Sequence, residues 1–197
     1  IKEIGFGKDG DSNEGRFIEV VNADLAKNLG NLLNRNLNMI KKYCAGSVPS
    51  ITSKDVPDDN PLKVIGLQLG EQVKANYEAL AFNQACEGIM RLSQACNKYV
   101  DEQAPWSLYK QGQQQEVEQV LYVILESVRL AAYLLSPVIP NISSDIYQQL
   151  GFGIDFNNQI DIANSVPFAV HGKWGLLSSE QKLGKAKPIF QSIELKN

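Results

Sequence analysis

The feature that most constrains the fold is a run over residues 121–135, LYVILESVRLAAYLL, which is apolar on nearly every side. Surface helices are apolar along one stripe only, so a helix that is apolar all round must be surrounded by other elements. Pro137 and Pro140 end the run because proline interrupts helices. No apolar run in the chain reaches the roughly 18 residues that a membrane span requires. We therefore expect a central helix inside a helical bundle, and no membrane partner.

The spacing of apolar residues predicts further helices around this central one. Apolar side chains recur at three- and four-residue intervals, which places them on one face of a helix. A glutamine-rich stretch, KQGQQQEVEQ, opens the central helix. The other predicted helices cover residues 14–44, with a break near 22–24, then residues 62–80, 82–103 and 141–150. The predicted fold class is all-α, a bundle of about five main helices.

The chain divides into three parts by its composition. Residues 1–13 end in a glycine- and aspartate-rich stretch and are predicted to be a linker, whereas residues 14–150 form the predicted bundle. Residues 151–197 are irregular but too apolar to be disordered, so we expect a tail that packs back on the bundle. The sequence begins at Ile1 rather than at methionine, and we expect it to be a segment of a longer protein.

Few residues are available for catalysis or for binding a metal. His171 is the one histidine, which excludes a two-histidine metal site, and we expect it at a surface or an interface rather than acting as a general base. The three cysteines include no CxxC pair, and we expect Cys86 and Cys96 in the core of a cytoplasmic protein. Phosphate-loop and nucleophile-elbow motifs are absent as well. We expect no catalytic residue, metal or cofactor in this chain.

The polar surface of the first predicted helix has an unusual composition. After Asp24 it contains asparagine and basic residues without an acid, whereas ordinary solvent-facing helices mix the two signs of charge. Such side chains supply hydrogen-bond donors for bases and phosphates. The alternative is a solvated face in an asparagine-rich protein. Because the net charge is −3, any contact with RNA must use a local patch. The members of this stripe are Lys27, Asn28, Asn31, Asn34, Arg35, Asn38 and Lys42.

A second candidate contact lies where the helix over residues 82–103 meets Pro105. Trp106 follows this proline, and an exposed tryptophan at a rigid corner can stack on a flipped base, which is worth roughly 1–3 kcal/mol. Asn97 and Asp101 lie on one side of the preceding helix. Asparagine can pair with a base edge, and aspartate can accept from an exocyclic amine or repel a carbonyl. The alternatives are that Trp106 caps the core and that the polar pair stabilises the helix end.

Four segments, in order along the chain, resemble methionyl-tRNA synthetases just beyond their catalytic domain. Residues 6–11 (FGKDGD) are similar to the hinge that follows the catalytic core. Residues 21–35 (VNADLAKNLGNLLNR) and 98–106 (KYVDEQAPW) are similar to the two anticodon motifs of the family. Residues 187–190 (KPIF) with 193–194 are similar to the C-terminus of its core. The resemblance spans the chain and implies an anticodon-binding helix bundle.

This resemblance implies a function and a set of site residues. The function is recognition of the CAU anticodon of methionine tRNA, initiator and elongator alike. Asn31 and Arg35 match the residues of the family that contact anticodon bases. Trp106 matches the tryptophan that stacks on the first anticodon base, a cytosine, and Pro105 matches its rigid neighbour.

The remaining implications concern selectivity and the parent enzyme. Asn97 and Asp101 match positions that help to accept this anticodon and reject others. The catalytic signatures of the family are absent, so we expect ATP to bind a catalytic domain outside this chain, in a methionine–tRNA ligase, and that domain to be a partner besides tRNA. The alternatives are another class I synthetase and a helical interaction scaffold, which would bury Trp106 away from Arg35.

Overall fold

The computed structural model describes residues 28–158 and 166–190. The linker predicted over residues 1–13, the start of the first predicted helix and the similar segments at 6–11 and 193–194 lie outside these ranges. The described helices are α1 (Asn31–Tyr43), α2 (Pro61–Glu78), α3 (Phe82–Gln103), α4 (Pro105–Lys110), α5 (Gln114–Leu135), α6 (Pro140–Gln149) and α7 (Phe168–His171). Strands are absent from both described ranges, so the all-α prediction is confirmed.

Helix α5 is the centre of the bundle, as its composition predicts. It packs against α1, α2, α3, α4 and α6. Every residue from 120 to 132 is buried. Cys86 and Cys96 are also buried, as expected of small core residues. Pro137 and Pro140 follow the end of α5 at Leu135, and Pro140 becomes the first residue of α6, where its missing amide costs no hydrogen bond.

A buried ion pair inside α5 was not anticipated from its apolar composition. Glu126 and Arg129 are fully buried, and Arg129 Nη2 lies 2.6 Å from Glu126 Oε1. Apart from a bond of 3.3 Å from Arg129 to the hydroxyl of Tyr147 on α6, their other side-chain hydrogen bonds go to the tail. Arg129 donates to the carbonyl of His171 at 2.7 Å, and Glu126 accepts from the amide of Leu177 at 3.0 Å. The pair therefore fixes the backbone of the tail against the central helix.

The described part of the tail, residues 151–158 and 166–190, packs back on the bundle, as predicted. The amide of Val48 donates to the carbonyl of Gln181 at 2.9 Å, and the amide of Gly184 donates to the carbonyl of Gln149 at the same distance. On α2, Gly66 lies against the indole of Trp174, and a Cβ added there would overlap the ring. These contacts connect the tail to the loop after α1 and to α2 and α6.

The expectation that His171 lies at a surface or an interface is wrong. The short helix α7 turns this ring inward, and its centroid lies 5.6 Å from the ring of Tyr133 and 5.9 Å from that of Tyr147. Burial and the neighbouring charge of Arg129 lower the pKa of His171 to about 4. The histidine is therefore a neutral member of an aromatic cluster at neutral pH.

Candidate nucleic-acid interface

Helix α1 presents the asparagine and arginine residues of the predicted stripe because its leucines pack inward. Leu32, Leu33 and Leu37 are buried, whereas Asn31 and Arg35 are exposed. Asn31 and Arg35 are four residues apart, so they lie one turn apart on the same side of the helix. The packing of α1 on α5 thus places both side chains on one accessible face.

The corner between α3 and α4 positions Trp106. Helix α3 ends at Gln103, and Ala104 adopts a left-handed conformation with φ of 45°. This conformation costs a residue other than glycine roughly 1–2 kcal/mol. It ends α3, and Pro105, which is buried, begins α4 at once. Trp106 follows and is half-buried, with part of its ring against the core.

Arg35 connects the three helices that carry the predicted site residues. Its Nη2 lies 2.8 Å from Asp101 Oδ1 on α3, and its Cζ lies 5.2 Å from the ring centroid of Trp106 on α4. The side chains of Arg35 and Asp101 are 41% and 65% exposed. An exposed pair of this kind contributes only about 0.2–1 kcal/mol. Arg35 can therefore exchange Asp101 for a different anionic partner at little cost.

Asn97 lies one turn before Asp101 on α3 and is held by a second group of hydrogen bonds. Its Nδ2 donates to Asn28 Oδ1 at 2.5 Å and to the carbonyl of Ser93 at 3.1 Å. Ser93 Oγ donates to the same Asn28 oxygen at 3.1 Å. Asn28 was part of the predicted stripe but was not assigned a role. Its spacing of three and seven residues from Asn31 and Arg35 could have indicated one.

The far end of α1 continues the same polar face. Lys41 and Lys42 lie in its last turn, and the ammonium of Lys42 is 5.3 Å from the ring centroid of Tyr43. Tyr43 in turn packs on Tyr109 of α4, with ring centroids 4.3 Å apart. Basic and aromatic side chains therefore continue along α1 and α4 beyond Trp106, although the whole chain is acidic.

The structure thus brings together the residues that the sequence selected. One accessible patch contains Asn31, Arg35, Asp101 and Trp106. Asn97 lies beside this patch, and the buried Pro105 begins the helix that carries Trp106. A scaffold without an RNA role would bury Trp106 and direct it away from Arg35. The observed contact between the two side chains contradicts that alternative. The patch can stack on a planar ring, donate hydrogen bonds and accept them.

Comparisons with known proteins agree on the relationship of this chain. A family model described as the anticodon-binding domain of tRNA ligase matches residues 68–194. The chain is 68% identical over 194 residues to a methionine–tRNA ligase of a Nostoc species, covering 98% of this chain and 36% of that protein. It is 41% identical over 197 residues to a chloroplastic/mitochondrial methionine–tRNA ligase of Arabidopsis thaliana, covering 99% of this chain and 31% of that protein.

The solved structures give the same answer. The free-state methionyl-tRNA synthetase of Mycobacterium tuberculosis superposes with a TM-score of 0.82 at 30% identity, covering 99% of this chain and 38% of that one. The resemblance to methionyl-tRNA synthetases seen in the sequence is therefore confirmed. This chain spans about a third of the length of the curated relatives that it matches.

Proposed function

The chain belongs to the family of anticodon-binding domains of tRNA ligases, and from this premise we propose that it recognises the CAU anticodon of methionine tRNA, initiator and elongator. The observation that supports the proposal is the convergence of Arg35, Asp101 and Trp106 on one accessible patch. The partner in the same protein is a catalytic domain outside this chain. That domain binds ATP and attaches methionine to the tRNA in the cytoplasm.

We also assign the three parts of the chain to this task. Residues 1–13 serve as the linker from the catalytic domain, residues 14–150 as the anticodon-binding bundle and residues 151–197 as the tail that stabilises it. Docking of the anticodon on the bundle then sets the position of the distant acceptor end relative to the catalytic domain.

Recognition begins with a base that leaves the anticodon stack. The base stacks on Trp106, where the Arg35 guanidinium lies in the free protein. Displacing Arg35 costs about 0.2–1 kcal/mol for its exposed pair with Asp101 and about 0.5–1 kcal/mol for its contact with the indole. Base–aromatic stacking contributes roughly 1–3 kcal/mol, which offsets this cost. The released guanidinium and the amide of Asn31 then donate hydrogen bonds to base edges and phosphates.

Selectivity for cytosine at the first position follows from the acids and amides beside the indole. The carboxylate of Asp101 accepts hydrogen bonds, so it favours the exocyclic amine of cytosine and disfavours the carbonyl that uracil has at the same place. Asn97 adjoins it one turn earlier on α3. Pro105 acts indirectly, because it fixes the corner that carries Trp106.

Binding of a fluorescent anticodon stem-loop with CAU tests this proposal. At low salt, Trp106→Ala is expected to weaken binding by about 5- to 150-fold, the range that corresponds to loss of one stacked base. Arg91→Ala is the matched control, since Arg91 is an exposed residue of α3 paired with Glu87 in the same helix. Equal affinities for the Trp106 variant and the control would contradict the proposal.

A further inference from the structure

The side-chain amide of Asn97 has both of its N–H groups committed inside the protein. The carbonyl of Ser93 can only accept hydrogen bonds, and it lies 3.1 Å from Asn97 Nδ2. The nitrogen, and not the oxygen, must therefore face this carbonyl. Asn28 Oδ1 lies 2.5 Å from the same nitrogen and takes the second N–H. The orientation of the amide is thus decided by its partners.

Asn28 is itself oriented by Asn97, whose side-chain nitrogen only donates and needs an acceptor here, and Ser93 bonds the same oxygen. The hydroxyl of Ser93 donates to Asn28 Oδ1 at 3.1 Å, so this oxygen accepts from both Ser93 and Asn97. Asn28 lies in the turn that leads into α1, whereas Ser93 and Asn97 lie one turn apart on α3. The three side chains form a small network that joins the start of α1 to the middle of α3.

The oxygen of Asn97 is left available on the other side of the amide. Within residues 28–158 and 166–190, no hydrogen bond to Asn97 Oδ1 is present, and this atom is not among the buried oxygens without a partner, which are Asn36 Oδ1 and Ser143 Oγ. Along the described part of the chain, the hydrogen bonds of this half-buried side chain all start from its nitrogen, so the oxygen is the acceptor left for RNA. Asp101, one turn later, adds a carboxylate, which also only accepts.

We propose that Asn28, together with Ser93, is a positioning residue that makes Asn97 present only an acceptor to RNA. Asn97 Oδ1 and the Asp101 carboxylate then form an edge without donors, which selects a base that carries an exocyclic amine. This inference rests on the proposed function. An amide that was free to rotate would offer its N–H groups to a carbonyl and would accept uracil as well as cytosine.

Selectivity at the first anticodon base distinguishes this role from a structural one. The 197-residue chain is titrated with stem-loops bearing CAU, UAU, or CAU with a 2-pyrimidinone ring, which lacks the amine, in place of the first cytosine. In Asn28→Ala the preference for cytosine over uracil is expected to fall about fivefold, the worth of one hydrogen bond, mainly through tighter binding of the uracil loop. Asn28→Asp retains the accepting oxygen and is expected to keep the preference.

The outcomes separate the inference from the function on which it rests. If the unmodified chain binds the CAU and UAU loops equally, the proposed function and the inference are overturned together. The inference alone is overturned if the unmodified chain prefers the CAU loop and the Asn28→Ala variant keeps the same preference. It is also overturned if this variant loses affinity for all loops by the same factor. Ser93→Ala is a second, conservative variant, and it is expected to lower the preference in the same direction. Far-UV circular dichroism establishes that each variant is folded.

Discussion

Replacement of Arg129 by methionine tests how the tail is held on the bundle. Methionine keeps most of the length and apolar volume of the side chain but removes the charge. Glu126, which is fully buried, would lose the cation 2.6 Å away. The carbonyls of His171 and Lys173 would lose the donor that now reaches them. In the variant, one buried anion therefore has lost its cation and two backbone carbonyls have lost the donor that Arg129 supplied.

The expected loss of stability follows from this set of contacts. Breaking a buried ion pair by removing one partner costs about 3–5 kcal/mol, because the remaining charge stays in a poorly solvated place. For a domain of this size, each kcal/mol corresponds to about 2–4 °C in the midpoint of thermal unfolding. We therefore expect Arg129→Met to lower the midpoint by roughly 6–20 °C.

Urea unfolding followed by far-UV circular dichroism gives the free energy directly. The matched control is Arg91→Met, which breaks an exposed pair with Glu87 in α3 and is expected to cost less than about 0.5 kcal/mol. The tail should also become more sensitive to trypsin at Lys173 and Lys182 in the Arg129 variant only. A loss below about 1 kcal/mol, similar to the control, would refute the conclusion that this ion pair fixes the tail.

Two further predictions concern the same contacts between the tail and the bundle. Gly70→Ala is expected to destabilise the chain by about 1–3 kcal/mol in urea unfolding, because the added methyl group would overlap the carbonyl of Gly172. Gly88→Ala, whose methyl group meets ordinary contacts, should instead stabilise α3 by up to about 1 kcal/mol, and equal effects of the two variants would contradict this packing. The pKa of His171 is about 4 in the folded chain, below the value of about 6.5 expected when unfolded, so stability is retained above pH 6.5 and is lost as the pH falls towards 4. The free energy of unfolding falls by at most about 3 kcal/mol over this range. This loss should be absent from His171→Gln. If the variant keeps the same pH dependence, a group other than His171 titrates.

The sequence was sufficient to predict the parts of the fold that follow from local pattern. The all-round apolar run of α5 indicated a central helix, and helix propensity with apolar spacing gave α3 at its observed bounds, Phe82–Gln103. These features depend on residues close together in the chain. The same pattern could not show that Glu126 and Arg129 bond to residues more than 40 positions later, because the partners are set by the tertiary fold.

The candidate site residues could be selected from the sequence, but their contacts could not. Asn31, Arg35 and Trp106 were selected by composition and by resemblance. The ion pair between Arg35 and Asp101 joins residues 66 positions apart, and the network of Asn28 with Asn97 joins residues 69 apart. No local sequence pattern indicates a contact between residues so far apart in the chain. The inward turn of His171 was missed for the same reason, since its environment is made by α5 and α6.

The most direct test of the central claim is the ratio of two dissociation constants for the unmodified chain. One is for an anticodon stem-loop with CAU, and the other is for a loop that differs only in having uracil at the first position, both measured by fluorescence anisotropy at low salt. If the patch around Trp106 recognises the methionine anticodon, the CAU loop binds at least about fivefold more tightly, the worth of one hydrogen bond to the base. Equal dissociation constants, or no binding of either loop, would contradict the claim.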